Sequence, residues 1–487
     1  MSKIAFKPTI PPELISHVIS HVPGDDKSTL SACSQVSRWF RPEAQKKLFT
    51  AVHLKYTLGQ ETDGDKMYFI MDPSPDSAGM KLCSTIRERS DLAAFIREIS
   101  FSINTPDGQP PVRLHSSQHE IASLHLILMR TQDIRKLSWL PGTNGCLDRV
   151  GFCDPDTMQN TLNGVLQRSR FLTHLDLSGP PAVSPTALIV HRNLSPLHEL
   201  RLSALDISDL GQWLDNHPRV IYPLYTKRLI LQSSAETSSL KGLVVLLTKH
   251  KNILSLSRVE HFSCLLPSFL STHLSWVLLQ LCPKTVTSLE LSAPLDKGQL
   301  GCRLLISQSP RLFLLISLSA YSEIRAKFRL RKTHCYFLPD TNLQAFCRLN
   351  QLTFKIDVTT LAVQIQDGYD RRKRNEPVIG CPINISWAAK AIASLPTTYE
   401  DETPRLSLTI DIRIGKVPAK FLNDNPWTLL EDVLIPRQGY FKGINLNVYY
   451  RTKDSKLREE YRQVLENVKP FQSLTGFATV QYREATH

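Results

Sequence analysis

Two histidines, His17 and His21, stand four residues apart near the start of the chain. On a helix this spacing places both imidazoles on one face, which is an arrangement that can bind a divalent metal ion. A lasting metal centre usually adds an acidic or thiol ligand to such a pair. Without such a partner, we expect a solvated helix face here and no metal centre.

The motifs that mark common enzyme sites are missing from the sequence. It has no G-x-S-x-G nucleophile turn, no G-x-x-x-x-G-K-[ST] phosphate loop, no G-x-G-x-x-G nucleotide turn and no H-E-x-x-H zinc helix. The ten cysteines form no Cys-x-x-Cys pair, so we expect reduced thiols packed as small apolar residues instead of zinc ligands. The sequence therefore predicts a protein that is not an enzyme, with no catalytic residue, metal or cofactor.

The chain is basic, with 58 Lys and Arg against 45 Asp and Glu. Two segments are densely basic, "RAKFRLRK" at Arg325–Lys332 and "RRKR" at Arg371–Arg374. Such segments can bind nucleic acid, act as a nuclear address or meet an acidic protein partner. Because no aromatic stacking platform or groove-reading helix accompanies them, nucleic acid is the less favoured partner, and the acidic protein partner stays open.

A short pattern of the form apolar-x-x-apolar-x-apolar returns along the chain from about residue 95, with helical stretches between its instances. One strand and one helix cannot cover their own apolar face, so such units must stack. A doubly wound α/β domain also alternates strands and helices, but no Gly-rich turn follows the first strand here. We predict an α/β fold, an irregular leucine-rich-repeat solenoid with a curved parallel sheet and outer helices. The instances are Ile96/Ile99/Phe101, Ile134/Leu137/Trp139, Leu172/Leu175/Leu177, Leu197/Leu200/Leu202, Val286/Leu289/Leu291 and Leu349/Leu352/Phe354, with a weaker one at Ile253/Leu256.

The remaining segments divide the chain into five parts. Gly59–Lys81 and Gln366–Pro382 are rich in polar or turn-forming residues and predict mobile loops. Strands are predicted at Leu406–Ile414, Asn445–Tyr450 and Gly476–Tyr482, with a helix at Ser455–Val468. The predicted parts are a helical unit at 8–54, a connecting segment at 55–94, the solenoid at 95–360, a basic polar loop at 361–382 and divergent C-terminal repeats at 383–487.

The helical unit begins with "IPPELISHVISHVPGDDKSTLSACSQVSRWFRPEA", residues 10–44. Pro12 suits the first turn of one helix, Ser28 or Thr29 can cap a second, and Pro42 suits the first turn of a third. A unit this small buries little surface, so its apolar stripe is expected to face something else. The stripe on the first helix consists of Leu14, Ile15, Val18, Ile19 and Val22.

This segment resembles an F-box. The resemblance is carried by Pro-Pro-Glu-Leu-Ile at Pro11–Ile15, by the Leu-Ser-x-Cys-x-x-Val-x-x-x-Phe core at Leu30–Phe40 and by Leu48-Phe49. It covers about a tenth of the chain, and Ile10 stands where the family usually has leucine. With the repeats behind it, the chain is similar to F-box/leucine-rich-repeat proteins, most like the divergent fungal ones.

The resemblance implies a non-catalytic substrate receptor of an SCF-type, cullin-RING ubiquitin ligase, in the cytoplasm or nucleus. In that family the F-box binds a Skp-type adaptor and, through it, the cullin-RING scaffold, while the repeats bind the target. No apolar run long enough for a membrane span and no signal peptide are found in the sequence, which agrees with that location. The residues that map to adaptor contacts or to the shape of the bundle are Pro12, Leu14, Ile15, Ile19, Leu30, Val36, Trp39 and Phe40.

Target binding is expected on the inner strands of the solenoid, where the variable positions point outward. The candidates are the polar strand residues His174, Asp176, Glu199, Arg201, Ser288 and Glu290. Two alternatives stay open. The chain can act with the adaptor alone as a scaffold, or it can be a basic repeat protein that binds nucleic acid.

Overall fold

The structure is a computed structural model. It describes residues 10–63, 66–71, 78–104, 114–115, 118–140, 155–179, 185–190, 194–202, 210, 222–232, 245–247, 250, 252–265, 278–281, 284–292, 343, 346, 348–358, 383–395, 406–414, 427–450, 455–468, 471–474 and 476–484. The chain divides into two compact units, Met1–Ser263 and Cys264–His487.

The first unit opens with three helices, α1 (Pro12–His21), α2 (Lys27–Val36) and α3 (Arg41–Thr50). Pro12 and Pro42 lie in the first turns of α1 and α3, as predicted. The predicted cap of α2 was wrong. Asp26 caps this helix, because its carboxylate accepts a 3.0 Å hydrogen bond from the Thr29 amide and α2 therefore begins at Lys27.

A β-hairpin follows where the sequence predicted the beginning of a mobile loop. Strand β1 (Ala51–Asp63) pairs antiparallel with β2 (Lys66–Met71). The loop prediction over 59–71 was therefore wrong: "KMYFIM" is apolar and aromatic, a composition that favours a strand over a solvated loop. Helix α4 (Ala78–Glu88) comes next and starts inside the same predicted loop. A 3-10 helix at Ser90–Phe95 follows it.

The rest of the first unit alternates strands with helices. The strands are β3 (Glu98–Asn104), β4 (Leu114–His115), β5 (Lys136–Leu140), β6 (His174–Leu177), β7 (Leu197–Leu202), β8 (Leu224–Gln232) and β9 (Leu254–Ser255). Strand β10 (His261–Leu265) begins in this unit and ends two residues past its boundary. The connecting helices are α5 (Gln118–Arg130), α6 (Pro155–Arg168) and a 3-10 helix at Pro185–Leu188. The strands β3, β5, β6 and β7 confirm the predicted pattern, and β9 falls on its weaker instance.

The order of the strands distinguishes this sheet from a doubly wound one. Strands β1, β3, β5, β6, β7 and β8 lie side by side in sequence order, and each pair is parallel. Strand β4 pairs with β2, while β9 and β10 lie beside β8. A doubly wound sheet reverses its order at a switch point, and no reversal occurs among β1, β3 and β5–β8. The unit is therefore α/β, with strands added one after another.

One face of this sheet is apolar and buried. Ile99, Leu137, Leu175, Leu200 and Leu229 are partners in register on successive strands, and none is more than 2% exposed. Helices α4, α5 and α6 pack against one another in chain order and also turn apolar side chains inward. The leucine spacing therefore fixes which side of each strand is buried.

The second unit repeats this construction. Its strands are β11 (Ser288–Ser292), β12 (Gln351–Val358), β13 (Leu406–Ile414), β14 (Phe441–Tyr450) and β15 (Ala478–Glu484), again parallel and in sequence order. Its helices are α7 (Ile383–Ala393), α8 (Thr428–Leu434) and α9 (Ser455–Val468), with 3-10 helices at Ile435–Tyr440 and Gln472–Leu474. Phe354 of β12 packs edge to face on Trp387 of α7 with ring centroids 5.7 Å apart. The strands and the helix predicted at the C-terminus are confirmed.

Candidate functional site

The three N-terminal helices share a small core. Ile19, Leu30 and Ala44 are buried together, one from each helix. Val22, Cys33, Phe40 and Leu48 pack around them and stay partly accessible. This core uses one side of each helix, so the apolar residues on the other sides are left to solvent.

Those outward residues form a group that we call the exposed apolar set, made of Ile10, Leu14, Val18, Val36 and Trp39. Leu14 and Val18 are 53% and 52% exposed on α1, and Val36 is 80% exposed at the end of α2. Among the described residues, the set supplies five of the twelve exposed large apolar side chains. This concentration within thirty residues of sequence makes the helical unit a candidate interaction surface.

The structure divides the eight residues predicted for adaptor binding. Pro12, Leu14, Val36 and Trp39 are exposed, so a partner can reach them. Ile15, Ile19 and Leu30 are 3%, 2% and 0% exposed, which assigns them to the interior of the bundle. Phe40 is half-buried against the core. Val18 belongs to the predicted stripe but not to the predicted contact residues, although it is as accessible as Leu14.

The second candidate surface is the polar face of the sheet in the first unit. Neighbouring strands place their polar residues directly opposite one another, so they form straight rows across the sheet. One row, the upper row, consists of His53, Ser100, Ser138, Asp176 and Arg201. The other, the lower row, lies two residues earlier on β3, β5, β6 and β7 and continues onto β8. It consists of Glu98, Lys136, His174, Glu199 and Arg228.

Nine of the ten residues in the two rows, all except Arg228, line an open cavity of about 320 Å³. Its smallest lining side chains are Ala51, Ser100 and Ser138, so the depression lies where the rows carry least bulk. His53 lines it on β1, and four of the six residues predicted to bind the target line it on β6 and β7. These four are His174, Asp176, Glu199 and Arg201.

Charged groups on one side of the cavity form a connected network. The guanidinium of Arg201 has Nη1 3.6 Å from Asp176 Oδ2 and Nη2 3.3 Å from Glu199 Oε1. Arg228 Nη1 lies 3.4 Å from Glu199 Oε2. Two acids and two bases thus balance each other, which holds the side chains in fixed positions beside the cavity.

Burial changes the ionisation of Asp176, His53 and His174, which line the cavity. It raises the pKa of the Asp176 carboxyl, even though Arg201 and the Ser178 amide, which donates a 3.0 Å hydrogen bond to Asp176 Oδ1, both favour the charged form. Burial also lowers the pKa of His53 and of His174, with nearby Lys55 and His198 adding to the respective shifts. The cavity therefore presents neutral imidazoles at pH 7.

Hydrogen bonds orient both imidazoles. His53 Nδ1 and the Ser100 hydroxyl are 2.8 Å apart, and His174 Nδ1 lies 2.9 Å from the Thr173 hydroxyl. The ring of His174 also lies near that of His198, with centroids 5.0 Å apart. Each ring can therefore present its other nitrogen to a ligand as donor or acceptor.

Ser288 and Glu290, the remaining two predicted target residues, lie on β11 in the second unit. Glu290 forms an ion pair with Lys355 on β12. The polar face of the second unit continues on β13 and β14, where Asn447 Nδ2 donates a 2.8 Å hydrogen bond to Asp411 Oδ1. The second unit thus has its own polar face, built on the same alternation of apolar and polar residues.

The sequence reasoning missed His53, Ser100, Ser138 and Lys136 as site residues. Each occupies the same register position as a predicted residue, one to three strands away. Aligning the apolar-x-x-apolar-x-apolar instances places Ser100, Ser138 and Asp176 in one column. The sequence alone could therefore have predicted that Ser100 and Ser138 share a row with Asp176.

Other predicted features lie outside the described residues. Arg325–Lys332, Arg371–Arg374 and the whole of Gln366–Pro382 fall outside the described ranges. Within those ranges no helix has the length and apolarity that crossing a membrane requires.

The chain was also compared with protein-family models, with curated proteins and with solved structures, and none of the three comparisons found a match.

Proposed function

We propose that this protein is the substrate-recognition subunit of an SCF-type, cullin-RING ubiquitin ligase. Its first three helices act as an F-box that binds a Skp-type adaptor. The strand–helix units behind them act as an irregular leucine-rich-repeat array that binds the target. Ubiquitin transfer is carried out by an enzyme recruited through the complex, and the receptor contributes by holding a target lysine near it.

The exposed apolar set is the observation that carries the proposal. Leu14 and Val18 face solvent on a helix whose neighbouring side, at Ile15 and Ile19, is already buried. A folded bundle that has filled its own core gains nothing from a second apolar side unless a partner covers it. An apolar partner surface such as that of the adaptor would recover about 1.5–3 kcal/mol for each large side chain that it buries.

The polar face in the first unit supports the second half of the proposal. Its cavity is lined by ionic and hydrogen-bonding groups held by a network of ion pairs, which suits recognition of a polar polypeptide segment. Lys136 is exposed at the edge of this cavity, so a target can reach its ammonium group. We therefore assign target binding to the upper and lower rows.

The test is affinity purification of the full-length tagged chain from cells, followed by mass spectrometry. The wild-type chain is expected to retain an adaptor and a cullin. The double variant Leu14→Asp/Val36→Asp is expected to lose both at least about tenfold, because one buried apolar side chain is worth about that factor in affinity. The matched control is Phe171→Ala, which removes a side chain that is 55% exposed outside the three helices.

The outcomes separate the open alternatives. Recovery of an adaptor without a cullin supports the alternative in which the chain is a scaffold. Absence of the adaptor from the wild-type purification refutes the proposal. Target binding is tested in the same experiment with Lys136→Glu, which is expected to lose target proteins and keep the adaptor. Lys390→Glu, an equal charge reversal at an exposed position of α7 in the second unit, is its control.

A further inference from the structure

His17 and His21 make a closer pair in the structure than their spacing alone requires. The two Nε2 atoms are 3.2 Å apart, and the rings meet nearly at right angles with centroids separated by 4.6 Å. Both side chains are exposed on α1. The two Nε2 atoms are therefore within hydrogen-bonding distance of each other at the surface.

That separation matches the requirement of chelation. Two imidazole nitrogens that bind one divalent ion at about 2.05 Å, with a near-tetrahedral angle between them, lie roughly 3.3 Å apart. The observed 3.2 Å between the nitrogens is close to that separation, so an ion can replace the hydrogen bond between the rings once each ring turns its nitrogen lone pair toward it. Imidazole pairs at this helical spacing bind zinc in metalloprotease helices for the same geometric reason.

The backbone beneath the pair is fixed by side-chain hydrogen bonds. Lys47 Nζ donates to the carbonyl oxygens of Ile19 and Ser20 at 3.1 and 2.7 Å, which ties the end of α1 to α3. The Ser20 hydroxyl donates to the carbonyl of His17 at 2.6 Å. The last turn of α1, which carries both rings, is therefore held in helical form before any ion binds.

We propose that His17 and His21 form a binding site for a divalent first-row transition-metal ion. Imidazole nitrogen suits Zn²⁺, Ni²⁺ and Cu²⁺, and Cu²⁺ is expected to bind most tightly of the three. Within the described part of the chain, no third His, Cys, Asp or Glu joins the two rings in a metal-binding group, so water completes the coordination. The sequence predicted a solvated helix face here, and both side chains are exposed, so the metal site is an addition to that prediction.

The site borders the exposed apolar set. Leu14 lies three residues before His17, and Val18 lies three residues before His21, so each is a neighbour of one ring on the helix surface. A bound ion adds positive charge beside these apolar side chains. The metal site itself does not depend on the function proposed above, and its test uses no adaptor.

The test is chemical modification of histidines by diethyl pyrocarbonate in the full-length chain, read by peptide mass spectrometry during a Zn²⁺ titration. When free Zn²⁺ reaches about ten times the dissociation constant, roughly nine-tenths of the sites are filled, so modification of both residues is expected to slow about tenfold. His17→Ala is expected to abolish the protection of His21, and His21→Ala that of His17.

The control is His198→Ala, which removes another close histidine pair, that of His174 and His198, and is expected to leave the protection of His17 and His21 intact. Modification at the same rate with and without Zn²⁺ refutes the site. Protection of His21 that persists in His17→Ala also refutes it, because a single imidazole would then account for the binding.

Discussion

Arg201 and Asp176 lie opposite each other on adjacent parallel strands, with the guanidinium Nη1 3.6 Å from the carboxylate Oδ2. Asp176 is the more buried partner, so it depends on Arg201 for compensation of its charge. We predict that Arg201→Met lowers the free energy of unfolding by about 1–3 kcal/mol, between the values for exposed and for buried pairs. Urea unfolding at pH 7 measures this loss.

The double variant Asp176→Asn/Arg201→Met tests the cause. Removing the carboxylate as well should return part of the lost stability, because no buried charge is then left unpaired. Strictly additive losses from the two single changes would contradict a pairing role for Arg201.

A second prediction concerns pH and Asp176. Burial raises the pKa of this carboxyl above 3.8, so the folded state binds its proton more tightly than the unfolded state does. Its contribution to stability is therefore full below pH 3.8 and is lost as the pH rises through the raised pKa. Urea midpoints measured from pH 3.5 upward should fall in the wild type relative to Asp176→Asn. Two parallel pH profiles would show that the burial of Asp176 has no such effect.

A third prediction separates the core of the helical unit from its surface. Ile19→Ala removes a buried side chain and should destabilise the three helices by about 2–4 kcal/mol. Leu14→Ala removes an exposed one and should change stability by less than about 0.5 kcal/mol. Hydrogen exchange of the amides in α1, α2 and α3 reports both effects. Equal acceleration in the two variants would mean that Leu14 is part of the core.

The fourth prediction concerns Gly179, which follows β6. A Cβ atom there would lie 2.5 Å from Cδ1 of Trp139 and still closer to the carbonyl oxygen of Leu140. The Gly179 amide also donates a 2.7 Å hydrogen bond to the Trp139 carbonyl, so the backbone cannot move away freely. Gly179→Ala should therefore lower the unfolding free energy by about 1–3 kcal/mol.

Gly164→Ala is the matched control in the same unit. Its nearest neighbour, Nη1 of Arg168, is 3.5 Å from the new Cβ, and position 164 is inside α6. Alanine there should raise stability by roughly 0.5–1 kcal/mol through helix propensity. If both variants shifted stability in the same direction, the close approach at Gly179 would not be the cause.

The strands were predictable wherever the apolar spacing was made of large aliphatic or aromatic residues. Strand β8 was missed because Thr226 fills the first apolar position, where its hydroxyl is satisfied by donating a 2.8 Å hydrogen bond to the Arg228 carbonyl. Strand β10 continues the same spacing through Val259, Phe262 and Cys264, all buried. A repeat is therefore not recognised from its leucines when a hydrogen-bonded polar residue or a cysteine occupies one of its apolar positions.

The two candidate surfaces were predictable to different degrees. Leu14 and Ile15 are adjacent and equally apolar, and only the packing of α1 against its neighbours decides that one is exposed and the other buried. His174 and Asp176 could be named from their own strand. His53 could not, because its place in the same row depends on the register of β1 against β3.

The order of strands also bears on how the protein is made. Within each unit, each strand of the parallel series pairs with the strand of that series that precedes it in the chain. The ribosome has therefore already released that partner when the new strand emerges. No member of that series has to wait for a partner synthesised much later, which keeps the loops closed during folding short. The sheet can therefore grow at its newest edge while translation continues, in the direction from amino to carboxyl terminus.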